Sequence, residues 1–423
     1  MSWRSLRPDE PLRYFTQFNR NAKLFLLSTV VGGIAFAGFQ LFFNIFLRRR
    51  GYDLDFVGLL NAVPAGAGLL TGIPLGIASD RIGRRRAMLI GVTVATAAAW
   101  ALVSAQSRGM MVILSAALGL GNTLYFLSQA PFMMSASGAR ERTLLFSLNF
   151  GLMTLSGAAG NLLAGQLPGW FGSWLGVGAE SPAAYQAVLV ASILGGGFAL
   201  IPLWLIREGR IAENGRRPAI GLEGFRELLR PGVLRLTVPN FIIGLGAALL
   251  IPYLNLFYKS KFSIDDGQLG LLFSLSAIVT GGATVFAPQV AARLGGKVKA
   301  VVVTQASSLF FLLAIGFAPR YWISGLAFLF RGALMNMSAP LYSAFAMEQT
   351  PEHERGAVNS VMELTWQIGW TIGPYLSGLA QARYGFAPLF VTTTLLYGAG
   401  ATITYLFFHQ SETQTTTAAA ATL

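Results

Sequence analysis

A chain of 423 residues that is 54% hydrophobic and only 12% charged is not built for water, because soluble domains carry about twice that charged fraction. Cysteine is absent, which excludes disulfides, thiolate catalysis and Cys-ligated metals, and the two histidines, His353 and His409, are too far apart to form a ligand cluster. The net charge of +13 lies mostly at the ends of apolar runs, where basic residues set membrane topology, so it is not read as a nucleic-acid surface.

The first 23 residues are polar and arginine-rich, with no visible cleavable signal peptide. Apolar runs of about 20 residues then recur, as a hydrocarbon core roughly 30 Å thick demands of a helix. Twelve spans are predicted: 24–47, 55–79, 87–106, 110–136, 143–167, 184–206, 234–258, 267–292, 299–318, 321–347, 356–381 and 386–408. Strands of about ten residues with alternating polarity, the mark of a membrane β-barrel, are absent from the sequence.

Between spans two and three stands "GIASDRIGRRRAMLIG", residues 76–91. Its flanks, Phe56 to Ser79 and Ala87 to Gln106, carry no charge. Gly83 permits a tight reversal between antiparallel helices. Asp80, Arg81 and Arg84 sit where they can bond helix ends or the other half of the chain, a gating position. Arg84 to Arg86 also suit lipid headgroups.

The longest polar connection, 207–233, contains a short amphipathic stretch at 222–229 and separates two six-span units, 1–206 and 234–408. The low-complexity tail, 409–423, is expected to be disordered. The two units repeat. Asn44-Ile45-Phe46-Leu47 matches Asn255-Leu256-Phe257-Tyr258, and Arg81-Ile82-Gly83 matches Arg293-Leu294-Gly295. Gly160, Gly165 and Gly172 match Gly373, Gly378 and Gly385, so the offset drifts only from 211 to 213. Two parallel repeats imply a site between them near mid-membrane, opened alternately to each side. Lys and Arg number 22 on the side of the N-terminus and eight on the other, which places both termini in the cytoplasm. A bacterial inner membrane is the expected location.

Charges within the bilayer are costly and point to function. Arg331 lies about ten residues into span ten and Glu363 about seven into span eleven, which at roughly 1.5 Å per residue brings both toward the middle third. A buried Arg331–Glu363 pair is expected there as a proton-coupling site, with a static structural pair as the alternative. On span eleven, Asn359, Glu363, Trp366, Gln367 and Trp370 share a helical face. Span four offers Asn122, Tyr125 and Gln129, span one Gln40 and Asn44, and span seven Asn255. Gln40, Asn44, Asn122, Tyr125, Gln129, Asn255, Trp366, Gln367 and Trp370 are the candidate substrate contacts. Asn44 and Asn255, as repeat partners, equally suit a symmetric structural contact.

Gly76-x-x-x-Asp80-Arg81-x-Gly83-Arg84-Arg85-Arg86, lying between spans two and three of a six-plus-six repeat, resembles the cytoplasmic loop signature of the major facilitator superfamily. Residues 289–299, "QVAARLGGKVK", are its worn copy. The resemblance implies an all-α polytopic membrane protein, twelve transmembrane helices in two pseudo-symmetric bundles, that is a transporter and not an enzyme. Its look is nearest to drug and metabolite exporters. The family's exporters carry an arginine in span four and Gly-x-x-x-Gly-Pro in span five. Here those positions read Leu118 and Ser156-x-x-x-Gly160-Asn161, while Arg331 and Gly369-x-x-x-Gly373-Pro374 stand in the second half. The resulting expectation is proton-linked export of a small amphipathic molecule by a monomer with no cofactor, in contact with substrate, protons and lipid. Ion-coupled uptake or uniport of a nutrient, lipid or lysolipid translocation, and a non-transporting receptor are the alternatives.

Overall fold

The computed structural model describes residues 18–138, 141–207, 230–352 and 354–421. In the first half, α1 (Arg20–Arg49), α2 (Leu54–Ile82), α3 (Arg84–Ser104), α4 (Arg108–Ser135) and α5 (Arg142–Leu175) precede a pass made of α6 (Pro182–Gly197) and α7 (Leu200–Leu205). In the second, α8 (Pro231–Leu250) continues through a 3-10 turn (Ile251–Tyr253) into α9 (Leu254–Phe262). Then follow α10 (Asp266–Val285), α11 (Ala287–Leu294), α12 (Lys297–Phe317), α13 (Tyr321–Glu348), α14 (Arg355–Tyr384) and α15 (Ala387–Ala421). Among the described residues, ten helical passes are long and apolar enough to cross a membrane. Helices α13 and α14, at 28 and 30 residues, are also of spanning length and carry Arg331 and Glu363. The architecture is all-α, two bundles of six passes.

Local chemistry sets the boundaries. Asn19 caps α1 by accepting from the Ala22 N–H at 2.8 Å, and its amide reaches the Ala136 carbonyl at 2.6 Å. Asp265 and Gln268 form a reciprocal capping box at the start of α10. Gly83, at φ +93°, is the single residue between α2 and α3, so the reversal uses a conformation that side chains resist. Span five runs beyond its expected end, through Pro168 to Leu175. The eighth span, expected to be continuous over 267–292, instead breaks at Phe286 just before Pro288, which lacks an N–H and obstructs a continuing helix. The last helix extends to Ala421 through an alanine-rich stretch, where the low complexity suggested disorder. The amphipathic stretch at 222–229 lies outside the described residues.

Pro252 breaks the seventh pass and thereby shapes the centre of the molecule. Asn255 Oδ1 takes the Leu256 N–H at 2.8 Å, the donor that would close on the Pro252 carbonyl in a regular helix. That carbonyl instead accepts from Asn44 Nδ2 at 2.6 Å, while Asn255 Nδ2 donates to the Leu41 carbonyl at 2.7 Å. The two repeat partners thus exchange hydrogen bonds between the halves.

The apolar core reports how those halves sit. On the distal side, where α1 ends, one cluster runs through both, joining Phe42, Leu47 and Leu60 to Tyr253, Leu254 and Phe390. On the proximal side, where α1 begins, the core is split. Phe25, Met88, Phe132 and Leu203 belong to a first-half cluster, and Val233, Val301, Phe345 and Val358 to a second-half one. Two helix crossings reinforce the distal join. Gly58 of α2 lies on Gly378 of α14, and a Cβ on Gly165 of α5 would stand 2.9 Å from Gly270 Cα of α10. The molecule is closed distally and parted proximally.

Candidate functional site

A cavity of about 420 Å³ lies wholly within the second half, between α8, α12, α13, α14 and α15. It reaches from Trp370 to Asn359, about one turn from the start of α14. Asn359, Glu363, Trp366 and Trp370 line it together, the face that their spacing of three and four predicts. Behind them, Gly369 and Gly373 let α14 close against Leu245 and Ala248 of α8. Gln367, on the same helix, is not among the lining residues.

Arg331 enters the cavity from α13 with only 6% of its surface exposed. Its Nη2 donates to the Tyr397 hydroxyl of α15 at 2.6 Å, and its guanidinium lies 5.5 Å from that ring's centre. Tyr397 is fully buried, wedged against Gly246 of α8. The expected Arg331–Glu363 ion pair is not formed. The cavity separates α13 from α14, so the arginine finds its partner on α15, and Glu363 lies on the cavity wall without an ion-pair partner among the described residues.

The distal join holds a second polar group. Lys259 of α9 reaches Glu180 Oε1 at 2.6 Å and Asp266 Oδ1 at 3.0 Å. Tyr185 of α6 donates to Asp266, its hydroxyl 3.0 Å from both carboxylate oxygens, and Arg49 also pairs with Glu180. Glu180, in the loop after α5, and Tyr185 belong to the first half, whereas Lys259 and Asp266 belong to the second. The hydrogen bond from Lys259 draws the Glu180 carboxyl below the usual glutamate range, aided by the charges of Lys259 and Arg49 and opposed by partial burial. Asp266 is 7% exposed, so the cation and the phenol are what make burial of its charge tolerable.

The family model for the Major Facilitator Superfamily matches residues 25–240 and again 236–423. The chain belongs to the Major Facilitator Superfamily. It is accordingly a multi-pass membrane transporter, not an enzyme. Among curated relatives, it is 29% identical over 181 residues to the "Multi-drug resistance efflux pump PmrA homolog" of Lactococcus lactis, covering 40% of this chain and 42% of that one. It is 25% identical over 152 residues to "Sugar efflux transporter A" of Escherichia coli, covering 36% and 39%. A further match, "Multidrug resistance protein MdtG" of Salmonella dublin, is 25% identical over 178 residues, covering 40% and 43%. These alignments span about two fifths of each relative's length. The fold matches a bacterial homolog of the human lysosomal transporter Spinster, in an inward-facing and unoccupied conformation, with a TM-score of 0.72 and 15% identity over 92% of this chain and 96% of that one. It also matches the nucleoside transporter NupG, with a TM-score of 0.71 and 13% identity over 92% and 98%.

Within this superfamily fold, the signature hairpin stands on the parted proximal side. Asp80 is exposed and lies 3.8 Å from Arg84, one turn away on the neighbouring helix. Arg84 donates to the Pro131 carbonyl at 3.0 Å, and Arg85 reaches the Leu203 and Trp204 carbonyls, at 2.6 Å for the latter. Arg84 and Arg85 therefore tie the hairpin to α4 and α7 of their own half. No described contact carries Asp80 or Arg81 to the second half in this arrangement.

The first-half substrate candidates do not line the second-half cavity. Gln40 is exposed and Asn122 half-buried. Tyr125 packs on Gly91 with its hydroxyl turned toward Gln129 and Ser28, within its own bundle. Asn44 and Asn255 are each 3% exposed, with their amides bonded to carbonyls across the join in this arrangement. Sequence reasoning missed Tyr397, which lies 66 residues from Arg331, and the Lys259–Asp266–Tyr185–Glu180 group. The only available signal for the latter was a cation and an acid facing each other across a three-residue loop.

Proposed function

We propose that the protein exports a small amphipathic organic molecule by alternating access, coupled to protons and acting as a monomer. The observation that carries this reading is the second-half cavity. Aromatic, methionine and amide side chains line it around an acid that has no ion-pair partner among the described residues. Such an acid can exchange a proton whenever the cavity faces water, and the costs of charge in the membrane favour a functional use. With both termini in the cytoplasm, the parted proximal side opens inward. The alternative state closes there, which would bring Asp80 and Arg81 against the second half, and opens the distal join. The relatives named as efflux pumps support the outward direction. Uptake or uniport of a polar nutrient is the second reading, favoured by the amides of Asn240, Gln305, Asn336 and Asn359 around the cavity.

The test is flux in proteoliposomes under an imposed pH gradient, with a fluorescent amphiphile as cargo and a pH dye in the lumen. Export predicts cargo movement coupled to opposite proton movement. Glu363→Gln should stop the proton-linked component and leave cargo exchange at zero gradient. Proton-driven flux that survives Glu363→Gln would remove that residue from the coupling role.

A further inference from the structure

The cavity holds a buried cation whose hydrogen-bonding capacity is largely unspent. A guanidinium carries five N–H donors. The single described hydrogen bond of Arg331 goes to a neutral phenol, its Nε is buried with no partner, and no carboxylate lies within ion-pair distance among the described residues. Buried cations are ordinarily paired, and buried donors ordinarily satisfied. Two more unpartnered buried atoms belong to residues that line the same cavity from other helices, Trp370 Nε1 of α14, a donor, and Gln305 Oε1 of α12, an acceptor. Of the five such atoms among the described residues, three belong to side chains that line this one cavity, the other two being Arg142 Nε and Gln381 Oε1.

We infer that Arg331 and Trp370 form a recognition site for an oxyanion, a carboxylate or phosphate group, on an apolar ligand body. This rests on the reading of the cavity as the substrate site and adds the charge class that reading leaves open. A planar guanidinium fork suits a carboxylate in two-point contact, and an indole N–H adds a further donor. Tyr397, which also lines the cavity, holds the fork in place while leaving most of its donors unused. Trp366, Met335 and Met362 offer the apolar body aromatic and thioether surface. Glu363 lines the cavity from α14, not from the arginine's helix, and is not paired with the arginine, so a ligand with an additional amino group, or a proton, can be held there without neutralising the oxyanion site.

The experiment is titration calorimetry on the purified full-length protein in detergent, with four probes sharing one body size: 4-phenylbutyrate, 4-phenylbutanol, 4-phenylbutylamine and phenylpropyl phosphate. The expected result is that one or both oxyanions bind at least about tenfold more tightly than the alcohol, the usual weight of a hydrogen bond to a charged group. The carboxylate and phosphate arms decide between those two anions. Arg331→Met should erase the preference, so that oxyanions and alcohol bind alike, while Arg331→Lys, which keeps the buried charge, should retain part of it. If the alcohol or amine binds as tightly as both oxyanions, or if the oxyanion preference survives in folded Arg331→Met, the anion assignment falls while the cavity remains a binding site. If none of the probes binds, both the assignment and the reading beneath it fall.

Discussion

The distal join and the second-half cavity are both polar interiors, yet they treat their charges in opposite ways. At the join, Lys259 faces two carboxylates, Tyr185 completes Asp266, and Asn44 and Asn255 exchange bonds with opposing carbonyls. In the cavity, Arg331, Trp370 and Gln305 keep buried atoms without partners. Satisfied polar groups fix one arrangement of the two halves, because each bond must be replaced when they part. Unsatisfied ones call for a partner that the protein does not itself supply, and in the cavity there is room for one. The contrast also separates the repeats, since the join draws on both copies and the cavity on the second alone.

The most severe way to break the join is Lys259→Met. It leaves Asp266 buried beside Glu180 without its cation, a loss of about 3–5 kcal/mol for a buried pair. Because the chain lacks cysteine, a Gln166→Cys/Gly267→Cys pair reports distal closure without background, and its cross-linking should fall sharply. Gly378→Val comes next. Its side chain would enter the space occupied by the Leu54 carbonyl and Gly58, and overpacking of this kind costs about 1–3 kcal/mol. The same cross-link should weaken, with the melting temperature lowered. Asn44→Ala and Asn255→Ala each remove a hydrogen bond between the halves, worth about 1 kcal/mol. Their double variant should be near-additive in cross-linking if each bond acts alone. In all of these, probe affinity in the cavity of the proximally open form should change little, and a matching loss there would abolish the contrast between the two regions.

The smallest effect is that of pH. Glu180 has a lower carboxyl value when the join is closed than when its partners withdraw. The open state therefore binds the proton more readily. The Glu180 contribution to closure is complete above the usual glutamate value of about 4.3 and disappears as pH falls through the lowered one. Cross-linking, taken at each pH relative to the Glu180→Gln protein so that the loss of thiolate cancels, should be flat from pH 8 to pH 5 and decline only below that.

Much of the framework was legible from residue order. Apolar runs located the passes, the constant offset exposed the two halves, and the spacing of Asn359, Glu363, Trp366 and Trp370 identified a face that does line the cavity. Residue order also marked Asn44 and Asn255 as partners but left structure and substrate as equal readings of them. The break at Pro252, which turns a carbonyl toward Asn44, is what gives that amide a partner across the join in this arrangement. The Arg331–Glu363 pair was inferred from matching depth alone. Depth along two helices says nothing about which way they face, and the intervening cavity gave the arginine to Tyr397.

Sequence by itself determined the membrane class, the paired bundles, the Gly83 reversal and the presence of costly charges at mid-depth, because hydropathy, helical period and backbone permissiveness act over short stretches of chain. Tertiary structure alone decided which charge meets which partner, that the halves close distally, and that the cavity belongs to one copy. Those outcomes depend on helix rotation and on contacts between residues scores of positions apart, where a change of one face exchanges a partner for an empty space.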